Sequence, residues 1–198
     1  FIQSGFDLKH LVRTITSSSV YQLSSEPNDW NKDDKQNFSR YYPKRLNAEV
    51  LLDSIDQVTG TTTTFPGVPV GTRASQLPDS GFTSYFLTVF GRPESSSACE
   101  CERSGEANLA QSLHLLNSGE IQGKLTNGSG RAAMLSKGAE REHADKIREL
   151  YLLSFSRMPT AEEQAIATAH IEKVGDAKIA YEDIVWALIN TKEFLFNH

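Results

Sequence analysis

Cysteine is nearly missing from this sequence: only Cys99 and Cys101 occur, two positions apart, so no framework of distributed disulfides staples the chain. Neither thiol stands in the C-x-x-C-H pattern that attaches haem c, which excludes covalent haem in this segment. Long apolar runs are missing too. LYLLSF at 150–155 and IVWALI at 184–189 fall far short of the roughly 18 residues a membrane span needs. Positive charge is in deficit, with 20 Lys and Arg against 25 Asp and Glu, and no basic stripe alternates with aromatics. A net charge of -5 argues against nucleic acid as a partner. No serine lies in G-x-S-x-G, and His10, His114, His143, His170 and His198 never take H-E-x-x-H spacing, so serine-hydrolase and metalloprotease signatures are absent. The chain opens on Phe1 instead of methionine, and is expected to be a fragment or processed piece of a longer protein.

What is present suits a core without staples. A chain of 198 residues can bury roughly 70% of its unfolded surface, and 38% of its residues are hydrophobic. The periodic signal is helical. FDLKHLVRTITSS places Phe6, Leu8, Leu11, Val12 and Ile15 at steps of about three and four, and RLNAEVLLDSIDQVTG does the same with Ala48, Leu51, Leu52, Ile55 and Val58 before Gly60. The polar stretch between them reads as an excursion loop, and 61–84, rich in threonine, glycine and proline, as an extended surface connection. TNGSGRAAMLSKG reads as a flexible break. Three helices close the chain, the middle one opening with a capping box of Thr160 and Glu163. LLNSGEI and LINTKEF echo each other as a helix stop followed by a new N-cap. The expected fold is all-α, one irregular multi-helix domain over 1–198 with long loops and a three-helix C-terminal part.

Two groups of residues could carry chemistry. In ACECERSGEANLAQSLHLLNSGEI, cysteines at i and i+2 lie at the upper edge of disulfide reach on a strand and point apart on a helix. A local Cys99–Cys101 disulfide, a buried reduced pair and a metal site are the alternatives, and zinc would lack the rest of its ligands. A helix starting near Ser104 would turn Leu109, Leu113 and Leu116 to the core and leave His114 on the flank, half-exposed, with Glu100, Glu102 and Glu106 favoured by the helix dipole. The second group is Arg45, Glu49, Asp53 and Asp56, at steps that align them on one helix face. It is either a solvated face or a carboxylate cluster that meets Arg92 or Arg103, or a cation, across a cleft. DWNKDDKQN imitates the start of a calcium loop, but Asp34 and Arg40 replace the required glycine and glutamate.

The segments DLKHLVRTITSSSVYQLSS, YYPKRLNAEVLLDSIDQVTG, FGRPESSSACECERSGEANLAQSLHLLNS, LYLLSFSRMPTAEE and WALINTKEFLFNH together resemble the Planctomycete C-terminal domain of unknown function, family 1553. That resemblance implies the carboxy-terminal part of a large exported, periplasmic or extracellular protein, following a Planctomycete-type cytochrome c module and a companion domain of unknown function numbered 1549. Haem c is then expected only in the upstream module. Neighbouring sulfatase-like genes in the family imply extracellular polysaccharide use, which makes the upstream domains and glycans the implied partners. The family offers no agreed catalytic residues. Arg45, Glu49, Asp53, Arg92, Cys99, Arg103, His114 and Asn117 fall inside its recurrent motifs.

Three functions are consistent with these readings. The first is a module assisting polysaccharide binding or processing. The second is a carbohydrate-active hydrolase or redox enzyme using Glu49, Asp53 and His114, with Arg45, Arg92, Arg103 and Asn117 holding the ligand. The third is an assembly scaffold. Convergence of Glu49, Asp53, Arg103 and His114 in one concavity would favour the enzyme or binder.

Overall fold

The computed structural model describes residues 1–79, 81–93, 109–138 and 140–197. The architecture is all-α, with strand confined among the described residues to Lys44–Arg45 (β1) and Phe196–Asn197 (β2). Cys99, Cys101 and Arg103, like Glu100, Glu102 and Glu106, lie outside the described residues. The chain divides into two compact units, Phe1–Lys44 with Phe196–His198, and Arg45–Leu195.

In the first unit, helix α1 (Leu8–Thr16) starts because the Asp7 carboxylate accepts from the backbone N–H groups of Lys9 and His10, at 2.8 and 3.1 Å. The helix is as periodic as the sequence predicts, yet none of its residues is buried. The expected apolar stripe of Leu8, Val12 and Ile15 is exposed. The loop that follows is held by short-range polar bonds. Asp34 accepts from the backbone of Gln36, Asn37 and Ser39 and from the Ser39 hydroxyl. Those bonds, led by Ser39, hold its carboxyl well below the usual carboxylate range.

The second unit contains the hydrophobic core. Helix α2 (Ala48–Thr59) buries Ala48, Leu51, Leu52, Ile55 and Val58, the face its sequence predicts. It packs against α3 (Tyr85–Val89), α5 (Gly119–Leu125), α6 (Arg131–Lys137), α7 (His143–Phe155) and α9 (Ala177–Ile189). Ile121, Ile147, Leu150, Tyr181 and Ile189 complete the fully buried centre. Each such side chain contributes on the order of 1.5–3 kcal/mol through burial. α7, α8 (Ala161–Val174) and α9 form the expected C-terminal trio, and α10 (Lys192–Leu195) ends the unit.

Both echoed segments stop one helix and start another. α4 (Leu109–Asn117) is followed by Ser118, whose hydroxyl accepts from Ile121 N at 3.2 Å, and α9 by Thr191, whose hydroxyl accepts from Phe194 N at 3.2 Å. The expected break at TNGSGRAAMLSKG is instead the start of α6, which buries Ala132, Ala133 and Leu135. Alanine's weak hydropathy hid it. The backbones approach closely there: a Cβ on Gly130 would stand 3.1 Å from the Thr59 carbonyl oxygen, and one on Gly60, whose φ of 67° favours glycine, would meet Arg131 N at 3.2 Å. This close approach lets Arg131 donate to the carbonyls of Gln57 and Val58 at the C-terminal end of α2.

The capping box also forms as the sequence predicts, with Thr160 Oγ1 accepting from Glu163 N and Glu163 accepting from Thr160 N. Glu163 further accepts two bonds from the Arg157 guanidinium, both 2.8 Å, and Arg157 chiefly holds its carboxyl down at about 2. The folded value lies below the unfolded 4.5, so this stabilisation is complete above pH 4.5 and disappears as pH falls toward 2. Arg157→Gln is therefore expected to lower Tm at pH 7 and to lower it much less near pH 2. A thermal melt series over that range measures it.

Candidate functional site

The three carboxylates of α2 point to three different partners. Glu49, 8% exposed, lies 3.4 Å from Arg92 Nε. Asp53, one turn on, accepts from Ala74 N at 2.7 Å, Ser75 N at 3.1 Å and Ser75 Oγ at 2.6 Å. It thereby anchors the 3-10 turn Ala74–Gln76 inside the 61–84 connection. Asp56 pairs with Lys124 and accepts from Thr63 N at 2.7 Å, while Lys124 Nζ also donates to Thr63 Oγ1 at 2.7 Å. The connection expected to run over the surface is thus tied down, and it contributes Phe65 and Ala74 to the core. These carboxylates are a row of fasteners, which the pattern of steps along α2 does not reveal, because their partners lie tens of residues away.

Arg45 precedes α2, so the expected helical register with Glu49 does not apply to it. Its Nη2 donates to the Phe90 carbonyl at 2.8 Å, and its guanidinium sits 5.7 Å from the Phe90 ring centroid. Burial pushes its pKa down. Arg92, with only 9% of its side chain exposed, donates from Nη2 to the Asp79 carbonyl, while its Nη1 is buried without a hydrogen-bond partner.

His114 reverses the sequence expectation. Leu109, Leu113 and Leu116 face outward, and Gln111, His114 and Leu115 are the buried residues of α4. The reason is a polar and aromatic match: Gln111 Nε2 donates to the Val89 carbonyl at 3.0 Å, and the His114 ring lies 5.3 Å from Tyr85, 5.5 Å from Phe86 and 6.2 Å from Phe90. Burial pushes the His114 pKa down, against the opposing charge of Glu120, whose Oε2 stands 3.7 Å from Nε2. The imidazole is neutral at pH 7, and Nε2 is buried without a hydrogen-bond partner. Asn117 is exposed at the last residue of α4.

The structure therefore brings Arg45 to the Phe90 carbonyl and pairs Glu49 with Arg92 after α3, packs His114 against the rings of Tyr85, Phe86 and Phe90, and directs Asp53 elsewhere. Among the described contacts, Glu49 faces a guanidinium and Glu120 faces the imidazole, so the two carboxylates have different partners. Among the described residues, no group of three or more His, Cys, Asp or Glu could hold a metal ion, and no helix is long and apolar enough to cross a membrane.

Residues not singled out from the sequence form a cavity of about 500 Å³ beside α8 and α9, where Tyr151, Ile166 and Trp186 meet the His170–Asp183 pair, 3.0 Å apart. No motif announces it. The only sequence trace is His170 and Asp183, 13 positions apart on successive helices.

The model of the family described as PSD1, protein of unknown function (DUF1553), matches residues 1–171. No curated protein and no solved structure matches the chain.

Proposed function

The chain belongs to the PSD1 family of proteins of unknown function, DUF1553, and from that premise we propose that it is a non-catalytic module of an exported, cytochrome-linked bacterial protein, where it assists the binding or processing of extracellular polysaccharide. Its setting is periplasmic or extracellular, and its partners are upstream domains of the same polypeptide and glycans. One observation carries the non-catalytic reading: both oxygens of Asp53 are occupied by Ala74 and Ser75. A carboxylate whose two oxygens already accept three hydrogen bonds from the turn is committed to holding that turn and not to a substrate. The exported and polysaccharide setting rests on the family resemblance.

A second reading, a carbohydrate-active enzyme, is favoured by the buried Glu49–Arg92 pair and by His114, packed on Phe86 with its buried Nε2 lacking a hydrogen-bond partner. Asp53→Asn and Glu49→Gln in the intact protein separate the two. As a module, Asp53→Asn lowers stability by about 1–2 kcal/mol, in the range of a lost cap, and polysaccharide turnover per folded molecule stays within twofold for both variants. A hundredfold fall in kcat with Tm unchanged would establish the enzyme instead. If the intact protein is not retained by any polysaccharide in affinity electrophoresis, the polysaccharide reading is wrong.

A further inference from the structure

The first unit contains a second cavity, of about 290 Å³, lined by none of the residues discussed above as a candidate site. Its chemistry differs from that of the groove at α8 and α9. Four aromatic rings, Tyr21, Phe38, Tyr41 and Tyr42, line it together with Arg40 and Lys44, and no carboxylate is among the lining residues. In a chain of net charge -5, an aromatic hollow whose charged groups are all cations is a selective feature.

The hollow is held open by its own framework. The Asp34 carboxylate gathers the backbone of 36–39, and the Asp34 carbonyl accepts from the Tyr42 hydroxyl at 3.1 Å. Within this collar Phe38 is held at φ 53°, a left-handed conformation that non-glycine residues rarely adopt. Its ring is thereby set 5.8 Å from that of Tyr42. The Arg40 guanidinium lies 4.9 Å from the centroid of Tyr42, on the ring's face, with one long bond, 3.4 Å, from Nη1 to the Ser25 carbonyl. Its Nε is buried and has no hydrogen-bond partner. Tyr41 is fixed by its backbone N–H to the Ser24 carbonyl, 3.0 Å, and by its hydroxyl to Asn197 Oδ1, 2.9 Å. Tyr21 and Phe38 stay more than half exposed at the rim.

We propose that this hollow binds a sugar ring bearing an anionic substituent, a carboxylate or a sulfate ester. The apolar C–H face of a pyranose stacks on tyrosine and phenylalanine rings. Arg40, whose guanidinium lies over Tyr42, presents donors in the fork geometry that suits carboxylate and sulfate oxygens, and Lys44 adds a second cation. The volume admits one ring, so the site reads a single charged unit along a chain. The choice of a sugar over another anion rests on the reading of the protein as a polysaccharide-associated module; the position and the charge preference rest on the cavity alone.

The test is calorimetric titration of the intact protein with four probes: a tetragalacturonate, a chondroitin sulfate tetrasaccharide, neutral maltotetraose and benzoate. One or both anionic tetrasaccharides should bind at least tenfold more tightly than maltotetraose and benzoate, and comparison of the two identifies carboxylate or sulfate as the preferred group. Arg40→Gln should weaken that binding at least tenfold. Tyr21→Ala, at an exposed ring outside the Asp34 collar, should weaken it about fivefold without a change in Tm. Equal binding of maltotetraose overturns the anionic site but not the polysaccharide reading. Anionic binding that survives both substitutions places the sugar elsewhere and overturns the pocket alone. Benzoate as the tighter ligand overturns the sugar, and no binding by any probe overturns the pocket, while polysaccharide retention in electrophoresis separately decides the wider reading.

Discussion

Lys124→Met is expected to lower the unfolding free energy by about 3–5 kcal/mol, the range for removing one partner of a buried ion pair. Lys124 and Asp56 have 9% and 15% of their side chains exposed, and methionine would leave the Asp56 carboxylate without its cation in a place water scarcely reaches. The same lysine holds Thr63 Oγ1, so the loss propagates into the connection that follows α2. Urea denaturation with an unchanged m-value measures the effect. In the Lys124→Met background, Asp56→Asn should return part of the loss by removing the stranded charge. A fall of less than 1 kcal/mol in the single variant would mean that solvent, and not Lys124, neutralises Asp56.

Phe86→Ala carries the second large effect, about 3–5 kcal/mol for truncating a fully buried ring. Phe86 is 0% exposed, stacks on Phe90 with centroids 4.3 Å apart and covers one edge of His114. The substitution also has a spectroscopic signature. The folded value of His114 lies below its ordinary 6.5 because of burial, so as pH falls below about 6.5 the unfolded chain takes up the proton first and the fold loses stability. Opening a cavity beside the imidazole admits water, raises its pKa toward 6.5 and reduces that acid sensitivity. NMR titration of the His114 ring in both proteins reads the shift directly. A His114 that titrates identically in the two would mean that its environment is set by α4 and Glu120, not by the aromatic cluster.

The fold was legible wherever periodicity and caps coincided. α2 buries the residues its spacing selects, and α8 opens on its capping box and closes at Gly175, which adopts φ 74°. The candidate site was legible only in part. Glu49 and Arg92, 43 positions apart in the numbering, do meet, but Asp53 was chosen for the same reason as Glu49 and serves a turn at Ala74. For α4, hydropathy selected three leucines as the inner face, and the structure buries a glutamine and a histidine beside them instead. The aromatic hollow of the first unit gave no periodic signal at all. Tyr21 comes from the stretch after α1, and Phe38, Tyr41 and Tyr42 from the segment that the Asp34 carboxylate helps to shape.

By itself the sequence determined the all-α class, the helical course of α1, α2 and the C-terminal trio, and the buried side of α2, because hydrogen bonding and burial along one helix are set by residues three and four apart. Only the tertiary structure decided what each charge does. A carboxylate on α2 becomes an anchor, a clamp or a counter-ion according to which donor the rest of the chain brings to it: Ala74 and Ser75 for Asp53, Arg92 for Glu49, and Thr63 with Lys124 for Asp56.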